Sequence, residues 1–180
     1  MRLAAVAVAF AACAAEAVPP EPPPAGAIPG LRPSAATQLD AETIAADAVD
    51  EEALTSLLGE AGFESAVERR YTGAGGEIRR AEVRVVRFGS TDGAERYLAW
   101  LEDHVEDVIG DATVADPMSG RSTSVYVHVP DGCCPKETVL TLAAWRDGRD
   151  VLRVLVAGPG AEGSTGLELI ATFRLRMTTS

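Results

Sequence analysis

Positive charge is scarce in this 180-residue chain. Lys136 is its only lysine, and 16 Lys and Arg face 27 Asp and Glu, for a formal net charge of -11. Such a balance repels phosphate backbones, which argues against nucleic acid as a partner. It also argues against a broad electrostatic dock onto anionic lipid. No apolar run approaches the roughly 20 residues that a spanning helix needs. Histidine occurs only at His104 and His128, and cysteine only at Cys13, Cys133 and Cys134. Catalytic signatures are missing as well. The chain has no G-x-S-x-G elbow, no phosphate-binding loop with its lysine, no H-E-x-x-H and no calcium loop of the EF-hand spacing. The expectation is a non-catalytic protein without a cofactor.

What is present is concentrated at the start. Met1-Arg2 leads into an apolar stretch from Leu3 to Ala12, then Cys13, then the polar and proline-rich segment Glu16 to Pro24. A positive residue, a short apolar core and small residues before a cut make a secretory signal peptide. Phe10-Ala11-Ala12-Cys13 resembles the lipobox of bacterial lipoproteins, although Phe10 stands where leucine is usual. The resemblance implies that Cys13 is diacylated and becomes the new N-terminus. Two acyl chains, at about 0.8 kcal/mol per buried methylene, hold a protein stably on a membrane. Removing the leader takes Arg2 with it, so the net charge becomes -12. Ala15-Glu16-Ala17 offers the competing small-x-small site of ordinary secretion, which would discard Cys13. The expected organisation is a leader over 1–13, a disordered Pro/Ala-rich tether over 14–36 and one globular domain over 37–180. Abundant arginine and alanine suggest a GC-rich genome, and with the lipobox-like leader this points to an actinobacterium.

Leu54, Leu57, Leu58 and Ala61 recur at helical spacing ahead of Gly62. They predict a helix that starts near Asp40 or Asp50 and stops at Ala61. Residues 63–71 read as a strand with Phe63, Val67 and Tyr71 on one face, and 73–76 as a turn. The strand over 78–88 shifts its apolar phase between Val85 and Val86, which means a bulge or burial on both faces. Ser90, Thr91 and Asp92 offer helix caps, and Asp92 with Glu95 fits a capping box. One long helix follows, with Ala94, Tyr97, Leu98, Leu101, Val105, Val108 and Ile109 inward and Gly110 at its end. Strands are expected at 113–115 and 124–129. Those at 138–145 and 151–157 flank the hairpin signal Asp147-Gly148. A last helix over 165–176 turns Leu167, Ile170, Phe173 and Met177 inward. The fold class is α+β, a mainly antiparallel sheet packed by two or three helices in a single domain. In outline this resembles the Mog1/PsbP-like domains of some actinobacterial envelope lipoproteins, which implies an accessory or binding role without catalysis.

Cys133-Cys134 is the one unusual constellation. Outside the cytoplasm thiols tend to oxidise. A bond between neighbours closes a strained ring that is easily reduced. The pair is therefore either a redox-sensitive latch or two small residues ending a hairpin. His128 and Glu137 lie close in sequence, but adjacent cysteines chelate one tetrahedral ion poorly, so no metal site is expected. His104 sits among Glu102, Asp103, Glu106 and Asp107, which reads as a solvated helix face rather than a general base. Trp145 alternates with Val139, Thr141 and Ala143, so core packing is expected of it. The leading expectation is a lipid-anchored cell-envelope protein on the extracytoplasmic face. Its domain would bind an envelope protein or a small ligand. The alternative is a redox- or metal-handling protein working through Cys133 and Cys134.

Overall fold

Apolar residues on both faces of the central strands decide the architecture. In β3 (Phe63–Gly73), β4 (Arg80–Phe88), β7 (Leu140–Asp147) and β8 (Asp150–Ala157), successive side chains enter two separate cores. Val67, Tyr71, Val83, Val85, Leu152 and Val154 line one face, while Ala66, Val86, Phe88, Ala144 and Val151 line the other. A sheet lined in this way has to be covered on both sides. The computed structural model describes residues 19–74, 76–110, 113–117, 124–128 and 139–178.

Among the described residues every strand pair is antiparallel. Two short strands, β1 (Leu31–Pro33) and β2 (Thr37–Leu39), share the outer edge of β3. From β4 the chain crosses to the far edge at β5 (Thr113–Pro117). It then returns through β6 (Ser124–His128) and β7 to β8, which closes on β4, so the order is β1-β3-β4-β8-β7-β6-β5. The fold is α+β with one antiparallel sheet, as the sequence implies. The apolar phase shift at Val85 and Val86 is burial on both faces, since the β4 register is unbroken there. The irregularity falls instead between Phe63 and Ser65. It moves Phe63 to the opposite core from Val67 and Tyr71, against the expectation that all three share a face.

One face carries α1 (Ala41–Ala45), α2 (Glu51–Glu60), α3 (Thr91–Asp103) and α4 (Val105–Ile109), and the other carries α5 (Ser164–Thr178). Both candidate starts of the first helix are used. Asp40 accepts a hydrogen bond from the Thr43 amide at 2.8 Å and Asp50 one from Ala53 at 3.0 Å, so two helices replace the expected one. Ser90 caps α3 by accepting from Gly93 at 3.1 Å, which displaces the predicted Asp92–Glu95 box by two residues. The long helix expected after it breaks at His104, whose φ of -120° and ψ of 27° are not helical. The β7–β8 turn is centred on Gly148-Arg149, because Asp147 pairs with Asp150. Gly148 has a φ of 59°, the positive angle that a type II′ turn needs at its first central position.

Over residues 19–36 the expected tether is folded instead, while 14–18 lie outside the described residues. Pro22 and Pro23 are buried, Ile28 and Leu31 enter the α5-side core, and β1 pairs with β3. Proline has no N–H to leave unsatisfied, and here its carbonyls find donors. Arg69 Nη1 donates to the Pro22 carbonyl at 2.6 Å and Tyr71 Oη to that of Pro23 at 2.8 Å. The folded unit thus begins well ahead of residue 37.

Close backbone approach fixes α3 against the end of α2. A Cβ at Gly93 would collide with the carbonyl oxygen of Ala61, a backbone atom that cannot swing away. Gly93→Ala is expected to lower the unfolding free energy by about 1–3 kcal/mol, the usual range for overpacking, as read from urea unfolding.

Candidate functional site

Two E-x-R segments build a charged layer into the face of the sheet that α1–α4 cover. Glu68 and Arg70 lie two apart on β3, as do Glu82 and Arg84 on β4, so each pair points to one face. The antiparallel register sets Glu68 opposite Arg84 and Arg70 opposite Glu82. Arg153 of β8 then stands beside Arg84. Like charges directly opposite repel, and acidic groups on both sides offset this pair. Arg84 Nη2 meets Glu68 Oε2 at 2.6 Å, and Arg153 Nη2 meets Glu82 Oε1 at 2.5 Å. Asp47, on the link between α1 and α2, reaches both arginines, with its Oδ2 at 2.6 Å from Arg84 Nη1 and 3.4 Å from Arg153 Nη1. Arg70 Nε closes the set on Glu68 Oε1 at 2.9 Å. Three cations and three anions balance, which is how the buried members Glu68, Arg84 and Arg153 are tolerated away from water.

The layer continues into open space. A hollow of about 230 Å³ is lined by Arg70, Arg80, Ala81, Glu82 and Leu155. Arg80 is exposed and stands outside the ion-pair network. By contrast, the gap between α3 and the sheet, lined by Tyr97, Trp100, Arg84 and Arg153 among others, holds only about 10 Å³. That is room for at most one water. A second hollow, about 300 Å³, lies on the opposite face between Ile28–Leu31 and α5, with Leu169 and Ile78 in its wall.

Two buried phenols frame these features. Tyr97 lies over the Arg84–Arg153 pair, and burial pushes its ionisation upward against the pull of the two arginines. Burial also pushes Tyr71 up, more strongly than nearby Arg69 lowers it. In the unfolded chain both ionise near pH 10. Stability is therefore full below that value, and falls as pH rises above it while the folded phenols stay protonated. Urea midpoints should decline steeply above about pH 10, and less so in Tyr71→Phe.

The residues singled out by sequence fare differently. Cys13, Cys133 and Cys134 lie outside the described residues. His128 belongs to β6, where it pairs with Leu140, and its side chain is not among those described. His104 is exposed at the α3–α4 break. Its ring stacks on Trp100 at 4.5 Å, and its Nδ1 lies 2.9 Å from the Trp100 carbonyl oxygen. It engages a helix end rather than an orienting carboxylate. Trp145 is a core residue at 2% exposure, with Arg174 5.9 Å from its ring. Among the described residues no three His, Cys, Asp or Glu side chains gather as a set of metal ligands, and no helix is long and apolar enough to cross a membrane. The charged layer was not anticipated, although the repeated E-x-R spacing carried its signal.

No family model and no curated protein matches this chain. Among solved structures it is similar to the extracellular domain of PknH from Mycobacterium tuberculosis. The TM-score is 0.58 at 13% sequence identity, over 84% of this chain and 86% of that one. At that identity the likeness is one of fold.

Proposed function

We propose that this chain is a lipid-anchored protein of the cell envelope whose extracytoplasmic, non-catalytic domain binds a small anionic ligand. The observation that carries the binding role is the hollow beside the charged layer. It places the Arg70 and Arg80 side chains around one concavity on a domain that is otherwise strongly acidic. Its volume, below the roughly 300–1,000 Å³ of drug-sized sites, suits a small carboxylate or phosphate. Arg70 Nε is held by Glu68 at 2.9 Å and by Glu82, itself in the wall of the hollow, at 3.5 Å, so the guanidinium is oriented before any ligand arrives. Export and anchoring are supported by the leader and Cys13. The fold shared with an extracellular domain is in keeping with that location.

Titration with inorganic phosphate and with succinate, followed by backbone NMR shifts, tests the binding role. Shifts should centre on Arg70, Arg80, Glu82 and Leu155. Arg80→Ala should weaken binding by roughly 10- to 100-fold, as expected for a lost charged hydrogen bond. Shifts centred elsewhere, or an unaltered affinity in Arg80→Ala, would overturn the assignment.

A further inference from the structure

We propose that the α5 face of the domain lies against the membrane, held there by a leash too short to let it turn away. The inference rests on the anchor at Cys13 proposed above. It adds which surface meets the bilayer and which way the arginine-lined hollow opens.

The leash is bounded by what is folded. Residues 21–23 are clamped on the α5 side of β3 by Arg69, which pairs with Glu21 and donates to Pro22, and by Tyr71, which donates to Pro23. Pro19 is already buried. Six Cα steps separate Cys13 from Pro19, and no conformation of them spans more than roughly 22 Å. A domain of this size is roughly 38 Å across. The chain therefore cannot reach around to present the α1–α4 side to the lipid.

The direction of exit follows from the register. As residue number falls from 23 to 21, the partner moves from Tyr71 to Arg69, so the chain heads towards Val67. Val67 pairs with Val85, Val85 with Leu152, and Leu152 with Trp145. Arg174, near the end of α5, lies over that same Trp145. Read from 23 to 21, the chain thus heads for the end of the sheet where α5 finishes. There Ile170, Phe173 and Met177 turn inward, and Leu175 points outward at 63% exposure, flanked by Arg174 and Arg176. An exposed apolar side chain at that end suits the headgroup boundary. Only one other large apolar residue among those described is as exposed. It is Val49 at 82%, on the α1–α2 link of the opposite layer. Arg70 and Glu82 also face that opposite layer, so the hollow opens away from the bilayer and towards soluble ligands.

The two exposed residues supply the test. Full-length lipidated protein would be placed in phosphatidylcholine vesicles that carry an acceptor dye on the lipid headgroup. A small fluorescent non-canonical residue would stand at position 175 in one sample and at position 49 in another. The two layers are roughly 20 Å apart, and energy transfer falls steeply with distance. Transfer from 175 should exceed transfer from 49 several-fold, and Cys13→Ala should abolish both. Equal transfer, or more from 49, in protein whose mass shows the acyl group overturns the orientation and leaves the anchor intact. Protein that carries no acyl group overturns the anchor and the orientation with it.

Discussion

Arg84→Met should destabilise the domain by about 3–5 kcal/mol, the range for removing one partner of a buried ion pair. Arg84 is the centre of the charged layer, with its side chain 4% exposed, and it neutralises Glu68, which is 5% exposed, while also meeting Asp47. Its loss leaves Glu68 with only Arg70, whose side chain lies largely in solvent. For a domain of this size the melting temperature should fall by roughly 10 °C. The double variant Arg84→Met with Glu68→Leu removes both charges together. It should recover most of the loss, because the desolvation cost of the pair disappears along with its attraction. A loss below about 1 kcal/mol in the single variant would mean that the layer behaves as surface ion pairs do.

Phe173→Ala should cost about 3–5 kcal/mol, as large-to-small changes at fully buried aromatic positions do. Phe173 is wholly buried and meets the Tyr71 ring edge-on at 5.0 Å. It therefore ties α5 to the strand that also holds Pro22 and Pro23. The cavity should loosen both attachments, so proteolysis near residue 20 should accelerate together with the fall in stability. Leu175→Ala, two positions along the same helix and exposed, should change stability by less than about 0.5 kcal/mol. Urea unfolding of the two variants separates these expectations. Equal effects would contradict the inward placement of Phe173.

Much of this architecture was legible because local chemistry fixed it. Asp40, Asp50 and Ser90 cap helices as their side chains dictate, and the apolar pattern of 78–88 marked a strand while leaving a bulge or burial on both faces open. The hairpin at 147–150 was readable from its glycine, although the turn centres one residue later than Asp147-Gly148 suggests. What escaped was set by partners distant in sequence. Composition made 19–36 a tether, since nothing local shows that Arg69 and Tyr71, some 48 residues on, will bind its proline carbonyls. Likewise, Glu68, Arg70, Glu82 and Arg84 read as ordinary polar alternation until the register sets each acid against a base. The break at His104 was hidden because the apolar spacing continues through it into Val105 and Ile109. The hollow could not be found from sequence at all, since Arg70, Arg80 and Leu155 meet only across three strands.

The anchor is the claim on which location, orientation and the direction of the hollow all depend. The most direct test is the intact mass of the mature protein, isolated from the membrane fraction of a host that processes lipoproteins. A chain that begins at Cys13 and carries acyl mass is the predicted result. A soluble chain that begins near Val18 without acyl mass would contradict it, and would make this a freely secreted domain.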